Sequence, residues 1–152
     1  MVATANGIKT GWRCCDRCNG FYLDGSGDAC VGGGTPHSNT NGGRGGVTTG
    51  SFPGFQDNWR LCKKCGSLFY YGSPTNGACF KGGAHDYEDT KGYSLQMRTT
   101  KADTVPAQYY NMFRWCHKCE SFFYGGDSKM GSCPKGASHD ASKSNYYSIQ
   151  YF

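Results

Sequence analysis

Three times along this chain a Cys-x-x-Cys pair is followed by a third cysteine and then a histidine. The sets are Cys15, Cys18, Cys30 and His37; Cys62, Cys65, Cys79 and His85; and Cys116, Cys119, Cys133 and His139. The gap between the second and third cysteine is eleven, thirteen and thirteen residues, and that between the third cysteine and the histidine is six, five and five. A closed tetrahedron of three thiolates and one imidazole is a structural zinc site, whereas a catalytic zinc keeps a position open for water or substrate. The pattern therefore predicts three structural Zn²⁺ ions that hold the fold, and places function elsewhere.

Disulfides explain the pattern less well. Each set holds an odd number of cysteines, so pairing within a repeat strands a thiol, and a disulfide framework gives no reason for a histidine to recur at fixed spacing. Mixed thiolate and imidazole ligation in a tetrahedral frame also favours zinc over iron. The tenth cysteine, Cys14, falls where the other repeats have Leu61 and Trp115, and reads as a buried small hydrophobe.

The flanks come into register with the ligands. Trp12-Arg13, Trp59-Arg60 and Phe113-Arg114 precede the knuckles, and Phe21-Tyr22-Leu23, Leu68-Phe69-Tyr70-Tyr71 and Phe122-Phe123-Tyr124 follow them. These short aromatic runs have the composition of strands. Each unit reads as a zinc knuckle at the tip of a β-hairpin, with the last two ligands on a second loop folded back to complete the site. Repeats two and three close on Tyr93-Ser94-Leu95-Gln96 and Tyr147-Ser148-Ile149-Gln150, and repeat one has no such match. In its place stands a Gly-rich stretch over 38–55, expected to be a mobile connection or an insertion because glycine is entropically costly to order.

The expected fold is a small, mostly-β, zinc-stabilised one. It comprises three tandem units, 1–55 with the Gly-rich loop, 56–104 and 105–152, packed with pseudo-threefold symmetry. Units of about fifty residues bury modest cores and lean on a metal to fold. Eleven tyrosines exceed what three isolated knuckles would hide, which favours one packed body over beads on a string.

No apolar run is long enough to span a bilayer, and the first ten residues lack the apolar core of a signal peptide. The expectation is a protein without membrane insertion, cytoplasmic or released without a classical leader. The formal charge of +5 suggests nucleic acid, but each site of three thiolates and one Zn²⁺ carries one net negative charge, which brings the metallated chain to about +2. Basic residues are also spread over the repeats, with no Lys/Arg stripe of the kind that follows a phosphate backbone.

Asn58-Trp59-Arg60-Leu61-Cys62 through Cys65 resembles the opening of zinc fingers of the Ran-binding-protein type, small readers of single-stranded RNA or ubiquitin. Those fingers close with a second cysteine pair, so their binding residues do not transfer. The whole of Trp59 to Asp86 is more similar to a tandem Trp-Arg-x-Cys-x-Lys-Cys…Cys…Gly-Gly…His-Asp repeat of microbial proteins, which implies a binding module without naming its ligand.

With the ligands assigned, Cys14 and His117 are the remaining thiol and imidazole, at non-equivalent positions, and no nucleophile-base pair is evident. No catalytic residue is expected. Abundant Trp, Tyr, Gly, Asn and Asp instead suit a non-enzymatic, multivalent, lectin-like protein, in which rings stack on sugar faces and turns bind hydroxyls. Repetition adds avidity. The candidate glycan-binding residues are Trp59, Tyr70, Tyr71 and Asp86 in repeat two and Tyr124 and Asp140 in repeat three, with repeat one weaker or silent. Asp86 and Asp140 could equally orient the preceding imidazoles. The alternatives are a single-stranded nucleic-acid binder, disfavoured by charge, and a protein-interaction or toxin module.

Overall fold

The computed structural model describes residues 8–15, 18–23, 45–50, 53–72, 77–79, 83–86, 92–98, 109–125, 131 and 133–151. Among them there is no helix, only nine strands joined in one sheet that curls back on itself. Three hairpins pair a long strand with a short one in a shared register. In the first, β1 (Ile8–Cys14) pairs with β2 (Phe21–Leu23), Trp12 facing Leu23; β3 (Gly45–Thr49) follows. In the second, β4 (Phe55–Leu61) pairs with β5 (Leu68–Tyr70), Trp59 facing Tyr70, and β6 (Tyr93–Arg98) follows. In the third, β7 (Tyr109–Trp115) pairs with β8 (Phe122–Tyr124), Phe113 facing Tyr124, and β9 (Tyr146–Tyr151) follows.

Each hairpin turns through its Cys-x-x-Cys. In the second, Cys62 N–H donates to Ser67 O at 2.9 Å and Gly66 N–H to Cys62 O at 2.8 Å. The residue after the second cysteine must take a left-handed conformation to close this turn: Asn19 at φ 62°, Gly66 at φ 77° and Glu120 at φ 68°. Glycine does so without cost, and a residue with a Cβ pays about 1–2 kcal/mol. Glu120 recovers part of this by accepting a hydrogen bond from Trp115 Nε1 at 2.9 Å.

The three closing strands join the hairpins. The C-terminal half of β3 pairs with the start of β6, Thr49 facing Tyr93. Further along, β6 pairs with the start of β9, Gln96 facing Ser148, and the end of β9 returns to the start of β3, Tyr151 facing Gly45. The ring of pairings is thus closed.

The Gly-rich stretch does not serve as a mere connection, nor does repeat one lack a closing strand. Residues 45–49 form β3, with Gly45 opposite Trp12 just as Tyr93 lies opposite Trp59 and Tyr147 opposite Phe113. A Cβ on Gly45 would stand 2.9 Å from Ile149 Cγ2 and 3.1 Å from Phe21 Cζ, so the space a tyrosine fills elsewhere is already taken. Here glycine is required by packing density rather than by flexibility. Much of the first repeat's remaining connection, 24–44, lies outside the described residues, as does the linker at 99–106.

The core follows from the alternation of the strands. Trp12, Trp59 and Phe113 from the long strands, Phe21, Leu68 and Phe122 from the short ones, and Val47, Leu95 and Ile149 from the closing strands meet in one buried cluster. Rings dominate it and pack edge-on or offset: Trp59 lies 5.2 Å from Phe122 and 5.7 Å from Tyr147, both near perpendicular. Such contacts add about 0.5–1.5 kcal/mol per pair beyond area burial. The arginines beside these rings point elsewhere. Arg60 stacks on Tyr71 at 5.1 Å and Arg114 on Tyr146 at 3.9 Å, and neither lies over the ring that precedes it in sequence.

Candidate metal centres

The knuckle puts two thiols on the tip of each hairpin, and in the second and third repeats the following loop brings a thiol and an imidazole to meet them. In the second repeat the ligand atoms of Cys62, Cys65, Cys79 and His85, all buried, lie within 4.8 Å of one another, and in the third those of Cys116, Cys119, Cys133 and His139 do the same. The separations fit an ion at the centre. Two thiolates each about 2.3 Å from a tetrahedral ion stand about 3.8 Å apart, and a thiolate and an imidazole nitrogen about 3.5 Å. The Cys62 and Cys79 sulfurs are 3.7 Å apart and those of Cys116 and Cys133 3.8 Å. Cys65 Sγ to His85 Nδ1 is 3.7 Å and Cys119 Sγ to His139 Nδ1 is 3.5 Å. No disulfide joins any of the nine described cysteines. Both clusters have the donor set and the geometry to hold a zinc ion.

The electrostatics call for a cation. Hydrogen bonds from Cys65 and then Cys79 hold the Cys62 thiol far below its usual range, while burial, followed by hydrogen bonds with Cys62 and Cys79, pushes Cys65 well above it. Cys116 is likewise lowered by Cys119 and Cys133, and Cys119 is raised by burial. Cys133 is raised chiefly by its hydrogen bond with Cys116. One thiolate is favoured and its neighbours resist ionising beside it, which is what crowding like charges in a dry site does; a dication reverses the balance. Backbone amides help to neutralise the sulfurs: Asp86 N–H donates to Cys62 Sγ at 3.5 Å, Asp140 N–H to Cys116 Sγ at 3.3 Å and Gly20 N–H to Cys18 Sγ at 3.4 Å.

The other face of each imidazole ties one repeat to the next. His85 Nε2 lies 2.9 Å from the Cys119 carbonyl, and His139 Nε2 lies 2.9 Å from the Cys18 carbonyl. A carbonyl only accepts, so Nε2 carries the proton in both rings and Nδ1 is left as the ligand. The loops before the third cysteine press on the same carbonyls. An added Cβ on Gly77 would sit 2.5 Å from the Cys119 carbonyl carbon, and one on Gly131 2.5 Å from that of Cys18. The middle aromatic of each short strand floors the site: Phe69 stacks under His85 at 4.7 Å and Phe123 under His139 at 4.6 Å. Each of these two candidate centres is therefore built across two repeats.

In the first set, Cys15 and Cys18 are buried at the knuckle, with Cys15 N–H donating to Gly20 O at 2.8 Å, as in the other two hairpins. Tyr22, buried at 4% exposure, occupies the position of Phe69 and Phe123. Cys30 and His37 lie outside the described residues.

The candidate ligand-binding residues separate. Trp59 is wholly buried in the core, so it has no face to offer a ligand. Tyr71 is covered by Arg60, and Tyr124 packs edge-on against Phe113 at 5.5 Å. Neither aspartate side chain orients a ligand imidazole, the carbonyls having taken that role. Asp86 pairs with Lys63 at 3.4 Å, and Asp140 Oδ2 lies 3.0 Å from His117 Nε2. Asp140 is held down to about 2 by the Ser142 amide first, with His117 assisting. It borders a wide, open depression of about 540 Å³ with Arg114 and Lys118. Tyr70, by contrast, lines a tighter cleft of about 130 Å³ with Gln56, Trp115, Lys143, Asn145 and Tyr147.

Sequence reading missed that cleft. One signal was available: Trp115 precedes its knuckle where the other repeats carry Leu61 and Cys14, an aromatic excess at a single repeat.

Comparison with protein-family models, with curated proteins and with solved structures finds no match. Among the described residues no helix is long and apolar enough to cross a membrane.

Proposed function

We propose that the chain is a non-enzymatic, carbohydrate-binding protein carried on three structural zinc sites, its hairpins set around a pseudo-threefold axis. The first hairpin shares the register, the knuckle hydrogen bonds and the buried ring of the other two, which supports a third site at Cys15, Cys18, Cys30 and His37. A full set of four protein ligands leaves no position for substrate at either described cluster, which argues against metal-centred catalysis. The observation that carries the binding reading is the cleft where half-buried Tyr70 and Trp115 stand beside the amides of Gln56 and Asn145. Aromatic faces with adjacent amides are the complement of a sugar ring, apolar on its faces and polar at its rim.

Single-stranded nucleic acid fits less well, because the cations that might follow a phosphate chain are engaged locally. Lys63 pairs with Asp86, Lys118 donates to Gly136 O at 2.9 Å, and Arg114 donates to the carbonyls of Ala141, Ser144 and Asn145. The test is a glycan panel and a single-stranded RNA titration, both on zinc-loaded protein. Retention of a glycan class with no RNA binding is the expected result. RNA binding that weakens steeply with salt, beside an empty glycan panel, would reverse the assignment.

A further inference from the structure

The cleft at the junction of the second and third repeats differs from the two other junctions in one respect that matters. Tyr70 and Trp115 form its walls with rings 6.1 Å apart and nearly perpendicular. The residues in the same register at the junction of repeats one and two are Leu23 and Leu61, and at the junction of repeats three and one they are Tyr124 and Cys14. Two aromatic walls thus occur together once.

Gln56 and Lys143 offer donors beside these walls, while Asn145 turns its amide nitrogen to Met97 Sδ at 3.7 Å. Gln56 Oε1 accepts from Tyr147 Oη at 2.5 Å and from Trp59 Nε1 at 3.2 Å. An indole N–H can only donate, so the amide orientation is fixed and Nε2 is the end left for a ligand. Trp115 spends its own N–H on Glu120, which leaves the ring face for stacking. Lys143 is exposed at the rim, and among the described residues no carboxylate lines the cleft. Its volume of about 130 Å³ is below the roughly 300–1,000 Å³ of drug-sized pockets, which suits one ring rather than a chain.

We infer that this cleft is a single subsite for a carboxylate-bearing sugar, whose ring stacks on Trp115 and Tyr70 while its carboxylate meets Lys143 and the Gln56 amide. The inference rests on the carbohydrate reading above and narrows it from several equivalent surfaces to one.

Calorimetric titration of the full zinc-loaded chain with glucuronic, galacturonic and N-acetylneuraminic acids, against glucose and galactose, tests it. At least one acidic sugar should bind, with a change in tryptophan fluorescence that is lost in Trp115→Phe. Lys143→Gln should weaken that sugar about tenfold, the worth of a hydrogen bond to a charged group, at unchanged zinc content. Lys143 is exposed, so this variant reports even if Trp115→Phe fails to fold. Acidic sugar bound equally by wild type and Lys143→Gln, or neutral sugars bound in preference, would overturn the subsite and leave the carbohydrate reading standing. No binding to any of these sugars or to the glycan panel would overturn both.

Discussion

Gly131→Ala isolates the contact that locks the third repeat onto the first. Gly131 sits at φ +79°, where an added Cβ would overlap the Cys18 carbonyl, 2.5 Å from its carbon. That carbonyl also receives the His139 Nε2 proton at 2.9 Å. The substitution therefore costs the left-handed strain of about 1–2 kcal/mol and, by displacing the carbonyl, a buried hydrogen bond worth a further 1–3 kcal/mol or so. Gly54→Ala supplies the control, because Gly54 has φ +80° and nothing within 4 Å of its added Cβ, so only the strain is paid. Chemical denaturation of the two zinc-loaded variants should place Gly131→Ala about 1–3 kcal/mol below Gly54→Ala. Zinc should also leave the third site faster, since the imidazole loses the carbonyl that orients it. Equal stabilities, within about 0.5 kcal/mol, would refute the interlock.

Three other outcomes follow from the packing. Trp59→Ala should cost about 3–5 kcal/mol, the range for emptying a buried aromatic site, and leave the chain largely unfolded at 37 °C by circular dichroism. Burial pushes the Tyr147 phenol up to about 12, so stability from this group is intact below about pH 10 and lost as pH rises toward 12; alkaline unfolding of Tyr147→Phe should be correspondingly shallower between those values. Asp86→Ala combined with Asp140→Ala should retain zinc, because the backbone amides of these residues and not their carboxylates meet the sulfurs; loss of metal on mass analysis would contradict that placement.

The hairpins and two of the three closing strands were legible because ligand spacing sets the register and aromatic alternation marks the buried face. Thus Cys62, Cys65, Cys79 and His85 and their third-repeat counterparts come together as the spacing predicts. The strand at 45–49 was not legible, because strand reading looks for side chains and Gly45 is there to make room for Ile149 and Phe21. The ties from His85 and His139 to backbone carbonyls were also hidden, since any residue supplies a carbonyl. Trp59 misled for the opposite reason. A tryptophan beside a knuckle looks like a ligand platform, but in strands that curl into a closed ring that position faces inward, where the largest rings are needed.

The central claim is that three zinc ions staple three repeats into one cooperative body, and native mass spectrometry during chelator titration tests it most directly. The account predicts a starting mass with three zinc ions and, as chelator rises, a direct passage to metal-free, unfolded charge states. Both described sites borrow a carbonyl from another repeat, so losing one metal weakens a neighbour. A starting mass with two or fewer zinc ions, or stepwise loss through long-lived, compact species with fewer ions, would contradict it.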